Sequence, residues 1–287
     1  MRILMLSPIP IYPTNVGDRV RIWHVANGLA HHHEVTLVLP DDGYLPNGSA
    51  HTCIAPHLRL VPVPWSPPGN LHKLKSLLPP WPYHVALRYQ PAILQMVHSL
   101  CMTEDYALAY CHQLYTLPYV METGLPVLWD QHNIDRLYWQ HKVATHPQPY
   151  FYRAIARWNL TKIIHFENQM LPKVAGLVAV SEADRQTTQT LLKANQPCIV
   201  APNGVDLAHY RLRDAKTETA KLVLGFFGSL DLELNQSAAL LLLQHILPAV
   251  AQQLPEREVS LLLIGRNPPQ KLRDWAARNP QQHITLT

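Results

Sequence analysis

The stretch Cys198-Ile199-Val200-Ala201-Pro202-Asn203-Gly204-Val205-Asp206 carries the organisation of the protein: a short apolar strand breaks at Pro202 into an Asn-Gly turn and ends on a carboxylate. Upstream, Val127-Leu128-Trp129-Asp130-Gln131-His132-Asn133 repeats the pattern, a buried-type strand that delivers Asp, His and Asn to its end. Open α/β sheets bind ligands outside the carboxyl ends of their strands, near a change in strand order. Both polar clusters lie at such ends.

Outward from these two strands, short apolar runs recur at residues 2–6, 35–39, 58–63, 106–110 and 176–180. Helical patterns separate them at about 18–30, 91–100, 150–171 and 182–192, the last opened by a capping pattern, Ser181-x-x-Asp184. Short buried strands alternating with helices predict βαβ units and a mainly parallel sheet. Residues 1–209 are therefore expected to form one Rossmann-like domain. The polar stretch 210–221 (YRLRDAKTETAK) reads as a linker. Beyond it, residues 222–287 supply strands at 222–227, 259–264 and 283–286 with helices at about 236–253 and 269–278. A doubly wound sheet of this type takes about six strands, so the second domain is expected to be incomplete, truncated at its C-terminal end.

The composition bounds the partners. A protein of 287 residues that is 47% hydrophobic and 15% charged can bury a sizeable core. Its net charge of +4 is too small to argue for nucleic acid, but suits a basic face toward phosphates or anionic lipid. Cys53, Cys101, Cys111 and Cys198 are scattered without a C-x-x-C pair, which predicts neither a zinc site nor a disulfide framework and fits the cytoplasm. The apolar helix candidate at 237–254 is interrupted by Gln244, His245, Pro248 and Gln252 and falls short of the ~20 apolar residues of a span, so no transmembrane segment is expected. Leu71-His72-Lys73-Leu74-Lys75-Ser76-Leu77-Leu78, followed by Pro79-Pro80-Trp81, has two readings. It is a basic amphipathic segment resting peripherally on an anionic membrane, or a surface helix whose leucines pack inward.

Several residues carry candidate chemistry. After the first strand, one glycine, Gly17, precedes a helix that begins with Asp18 and Arg19. Backbone N–H groups and the dipole at a helix N-terminus favour an anion such as a phosphate. The three glycines of a dinucleotide fingerprint are missing, which argues against an NAD or FAD enzyme. His132 either hydrogen-bonds a sugar hydroxyl or stabilises charge at a reacting carbon, or simply caps the helix that follows. Asp130 and Asn133 suit structural roles, orienting the imidazole and capping the helix. Glu167 and Asn168 read as a polar helix face, Ser181 as an N-cap, and His31-His32-His33 as a solvated helix end, since consecutive side chains diverge.

In order and spacing, these pieces resemble the family-4 ("group 1") glycosyltransferases. The matching segments are Gly17-Asp18-Arg19-Val20-Arg21, Asp130-Gln131-His132-Asn133, residues 176–184 (GLVAVSEAD), Ala201-Pro202-Asn203-Gly204-Val205-Asp206, and Phe226-Phe227-Gly228-Ser229-Leu230 leading to Ile264-Gly265. The first of these also looks like sugar transferases of bacterial exopolysaccharide systems. The resemblance implies a GT-B fold, α/β with two Rossmann-like domains facing each other. The first would take a saccharide or lipid-linked acceptor, and the second a UDP- or GDP-linked sugar. It implies retaining transfer with no cofactor and no metal. Gly17, with Asp18 and Arg19, would lie against the donor phosphates, and His132 near the donor sugar as the catalytic residue. Asn203, Gly204 and Asp206 would stand at the domain junction, with Gly228 and Ser229 in the donor loop. Many relatives carry an Arg and a Lys in that loop, whereas residues 228–235 (GSLDLELN) hold no cation. A nucleotide-sugar 2-epimerase of the same fold, or a non-catalytic interaction domain, are the rival expectations.

Overall fold

The computed structural model describes residues 1–45, 55–78, 80–145, 150–191, 195–205, 207, 210, 221–279 and 284–286. They fall into two compact units, Met1–Gly204 and Val205–Thr287.

The first unit holds seven strands: β1 (Arg2–Leu6), β2 (Glu34–Asp41), β3 (Leu58–Pro64), β4 (Leu108–His112), β5 (Val127–Gln131), β6 (Gly176–Ala179) and β7 (Cys198–Val200). They form one sheet in the order β3-β2-β1-β4-β5-β6-β7, and every pairing is parallel. The direction in which strands are added therefore reverses between β1 and β4, where Leu4 pairs with Thr36 on one side and Ala109 on the other.

Among the described residues, seven α-helices accompany the sheet: α1 (Gly17–Leu29), α2 (Asn70–Lys75), α3 (Tyr83–Arg88), α4 (Pro91–Thr103), α5 (Asp135–Thr145), α6 (Tyr150–Met170) and α7 (Glu182–Leu191). Strand alternation sorts the core into two layers. Leu4 and Leu6 of β1 pack with Ile93 and Val97 of α4 and Phe166 and Met170 of α6. Ile3 and Met5 face the other way, onto Ile22 and Ala26 of α1. A central parallel strand covered on both faces must be apolar throughout, as residues 3–6 of β1 are.

The strands lie where the alternating pattern predicts, with ends shifted by a residue or two. The helices α2, α3 and α5 add to those with assigned bounds. Ser181 caps α7 as expected: its Oγ accepts from the Asp184 amide at 3.0 Å and donates to the Asp184 carboxylate at 2.6 Å. Glu167 departs from the polar-face reading. It is buried and accepts a hydrogen bond from Arg136 of α5 at 2.8 Å, so it ties α5 to α6.

The second unit has a parallel sheet in the order β10-β9-β8, from β8 (Lys221–Phe227), β9 (Glu258–Ile264) and β10 (Ile284–Leu286). Helices α8 (Glu233–Leu241) and α9 (Leu247–Gln253) join through a π-turn at Leu242–Ile246, and α10 (Gln270–Arg278) follows β9. By length and composition alone, the segment Glu233–Gln253 could cross a membrane. One face of it, Ala239, Leu243 and Leu247, shares a core with Leu261 and Leu263 of β9, while Leu234, Leu241 and Ile246 are exposed.

Candidate active site

Three of the sequence-derived candidates converge at the point where the sheet reverses. β4 ends in His112 with Gln113 next, β5 ends in Asp130 and Gln131 with His132 next, and the start of α1 supplies Asp18 and Arg21. Asp130 is fully buried and accepts from Nη2 and Nε of Arg21, at 2.7 and 3.1 Å. His112 Nδ1 lies 3.0 Å from the same carboxylate and His132 Nε2 lies 3.5 Å from it. On its other side His132 Nδ1 meets Asp18 Oδ1 at 3.1 Å and the Gln113 amide at 3.2 Å. A chain of polar contacts, Arg21, Asp130, His132, Asp18, thus runs from the buried centre to the half-exposed Asp18 carboxylate.

The electrostatics follow from burial and partners. Burial alone would lift the Asp130 carboxyl, but His112, His132 and Arg21 together hold it far below the usual carboxylate range. Burial disfavours the His132 imidazolium, yet Asp130 and Asp18 outweigh it and raise its pKa. His112 goes the other way: burial pulls it down to about 4 against the pull of Asp130. Its Nε2 is buried without a hydrogen-bond partner, so a second proton there would be unsatisfied.

A base whose folded pKa is depressed stabilises the fold above its unfolded value, near 6.5, and loses that contribution as pH falls toward the folded value. Between pH 6.5 and 4 the native state is therefore expected to lose up to about 3 kcal/mol through His112. Urea unfolding of wild type and His112→Gln across that range checks it, because the variant should lack this acid limb.

His112, Asp130 and His132 bring ligand atoms within 4.8 Å of one another, a spacing a metal ion can bridge. Both Asp130 oxygens already face the Arg21 guanidinium, however, and an added cation would meet that charge at close range. The donor set fits a hydrogen-bonded ion network better than a metal.

The remaining candidates are placed as follows. Gly17 is exposed at the first position of α1, and a Cβ there would meet nothing within 4 Å. Arg19 turns back to donate to the carbonyls of Tyr12 and Pro13, at 2.8 and 3.2 Å, and so holds the loop before α1. Asn203 joins the network, its Oδ1 accepting from Arg21 at 2.9 Å beside the Ala201 carbonyl at 2.9 Å. Gly204 follows it, exposed, whereas Asp206 lies outside the described residues. In the second unit Gly228 closes β8, its N–H donating to the Ile264 carbonyl at 2.9 Å, and the Ser229 carbonyl accepts from Asn235 at 2.9 Å.

Sequence reasoning misses Arg21 as the partner of Asp130, and misses His112 and Gln113 altogether. The apolar run that marks β4 stops at Tyr110, two residues short of the polar pair. Gln113 has φ 61°, a strained conformation for a residue with a side chain, at the point where it meets His132. Asp135, at the start of α5, is a further buried carboxyl: burial pushes it up to about 6, and Tyr115 donates to it at 2.8 Å.

The profile described as Glycosyltransferase Family 4 matches residues 17–209, a span that contains every residue of this network. The protein belongs to glycosyltransferase family 4. The fold of this family-4 protein is GT-B, as solved structures of low identity show. A sucrose-phosphate synthase from Thermosynechococcus elongatus is 14% identical with a TM-score of 0.61, over 100% of this chain and 70% of its own. The E. coli trehalose-6-phosphate protein bound with UDP-2-fluoro glucose is 12% identical with a TM-score of 0.55, over 100% and 73%. The UGT2 of Phytolacca americana complexed with UDP-2fluoro-glucose and pterostilbene is 14% identical with a TM-score of 0.53, over 100% and 71%. No curated protein matches this family-4 sequence.

Proposed function

We propose that this protein transfers a sugar, with retention of anomeric configuration, from a UDP- or GDP-linked donor to a hydroxyl of a saccharide or lipid-linked acceptor. The observation that carries the reading is the Arg21–Asp130–His132–Asp18 network, set at the reversal point of a family-4 sheet and beneath the open N-terminus of α1. In such a transfer the bond from the anomeric carbon to the diphosphate oxygen breaks, and a bond to the acceptor oxygen forms. The nucleoside diphosphate departs with the electron pair, and the acceptor's proton passes to the departing phosphate oxygen. The developing negative charge needs cationic or dipolar partners but no metal. The N–H groups around Gly17 supply one, since the empty space over that residue lets a phosphate approach the backbone.

His132 has both ring nitrogens engaged, and its protonated form, which Asp130 and Asp18 favour, orients the half-exposed Asp18 carboxylate toward a donor hydroxyl. In the second unit, Arg266 stands after β9 with its Nε 3.5 Å from Asp231. It offers the cation that residues 228–235 lack.

The test is release of nucleoside diphosphate from a panel of UDP- and GDP-sugars, with and without saccharide acceptors. His132→Ala is expected to lower kcat/KM by roughly 10²–10³-fold, the usual scale for losing one preorganised electrostatic group. In wild type, activity should fall as pH rises past the raised pKa of His132, and His132→Gln should lack that limb. Gly17→Val should raise the donor KM without moving the unfolding midpoint. Undiminished turnover in His132→Ala, or no product from any donor, would end this reading.

A further inference from the structure

We infer that the face formed by α2, the turn after it and the first half of α6 docks on an anionic lipid bilayer. The sequence left open whether the leucines of residues 71–78 pack inward. They do not: Leu71, Leu74 and Leu78 are 66%, 62% and 76% exposed, and α2 has no buried residue. Spaced three and four apart, they make one apolar stripe.

A second stripe continues it. Phe151, Ala154, Trp158 and Lys162 recur along α6 at helical spacing, with Phe151 70% and Trp158 48% exposed. Lys162 joins the two stripes, because its Nζ donates to the Leu77 carbonyl at 2.7 Å and lies 3.7 Å from the centroid of the Trp158 ring. Asn159, one residue further along α6, accepts from the Tyr83 amide at 2.8 Å and holds the α2–α3 segment against the same helix. Beside the stripes, a cavity of about 290 Å³ lined by Trp139, Lys142, Tyr152 and Ile155 gives the face apolar depth.

Charge selects the occupant. No Asp or Glu occurs anywhere between Gly43 and Thr103, or between Arg136 and Phe166, the two runs that build this face. The same runs contribute Lys73, Lys75, Lys142, Arg153 and Arg157. Exposed leucines, interfacial aromatics and cations without intervening carboxylates match a surface of anionic headgroups over acyl tails. A soluble partner with a polar binding surface would leave the leucines and Phe151 uncovered.

The proposal is independent of the sugar-transfer reading, since the experiment reads lipid binding and no turnover. The full-length protein is co-sedimented with vesicles of phosphatidylcholine alone and of phosphatidylcholine mixed with phosphatidylglycerol. Wild type is expected to bind the mixed vesicles at least about tenfold better, and to release them at high salt. Lys73→Glu with Lys75→Glu should weaken that binding by at least about 30-fold, the loss of two lysines at their usual worth near an anionic surface, with repulsion from the new carboxylates added to it. Leu74→Ser with Leu78→Ser, and separately Phe151→Ser with Trp158→Ser, should weaken it by roughly tenfold or more at unchanged charge. The lysine and leucine side chains are exposed, so those two variants should unfold at the wild-type midpoint, whereas Phe151→Ser with Trp158→Ser also removes the Trp158–Lys162 contact and is compared at temperatures where it is fully folded. Equal, weak partitioning of wild type to both vesicle types overturns the proposal, as does wild-type binding in either apolar pair or in the charge-reversed pair.

Discussion

Asn in place of Asp130 is expected to destabilise the Met1–Gly204 unit by about 3–5 kcal/mol, the cost of leaving a buried charge without its partner. The side chains of Arg21 and Asp130 are almost wholly shielded, and the guanidinium reaches the carboxylate through two hydrogen bonds. An Asn keeps one oxygen that can accept from Arg21 but no charge, and the other acceptors of Arg21, the Ala201 carbonyl and Asn203 Oδ1, are neutral as well. The pair Arg2–Glu34 is the control. It is as short, at 2.6 Å, but its side chains are 48% and 62% exposed, so Arg2→Ala should leave the unfolding midpoint almost unmoved. Urea unfolding at pH 7 measures both, and a cost for Asp130→Asn no larger than that of the surface control would refute the buried-charge account. Arg21→Met with Asp130→Leu should cost less than the sum of its parts, because neither charge is then left alone. The pH dependence has a definite sign. A carboxyl depressed in the folded state stabilises above its unfolded pKa, near 3.9, and loses that contribution as pH falls further toward the folded value.

The sheet is legible because a parallel strand covered on both faces must be a short apolar run, and such runs stand out in this sequence. The half of the site carried by strand ends is legible for the same reason: where the apolar run stops, Asp130 and His132 appear. What no local pattern reveals is who meets whom. Arg21 and Asp130 are 109 residues apart, and nothing near either names the other. Arg19 and Arg21 look equivalent in the sequence, yet one falls on the face of α1 that turns to the sheet and the other on the face that turns to the loop. Glu167 misleads for a related reason: a carboxylate on a long helix is usually solvated, and only the arrival of Arg136 from α5 makes its burial tolerable. Likewise, a helix as short as Asn70–Lys75 carries too little periodicity to say whether its leucines face the core.

Gly265→Ala should be the most damaging single-methyl change in the second unit. A Cβ at that position would sit 1.9 Å from the Gly228 carbonyl oxygen and 3.0 Å from its carbon. Overpacking a core costs about 1–3 kcal/mol when neighbouring side chains can move aside. Here the obstacle is backbone, fixed by the hydrogen bond from the Gly228 amide to the Ile264 carbonyl, so the ends of β8 and β9 must separate or the β8 loop must shift. The expected result is a loss at or above the top of that range, confined to the second unit. Protection of β8 and β9 amides in hydrogen exchange should fall while that of β1 and β4 stays unchanged. Because the residues that move are Gly228 and Ser229, any donor binding by this unit should weaken along with its stability. Gly225→Ala in β8 separates the steric cause from the loss of a glycine as such, since its Cβ would meet nothing within 4 Å. If Gly265→Ala proved no more disruptive than Gly225→Ala, the close approach of the two strand ends could not be what requires glycine there.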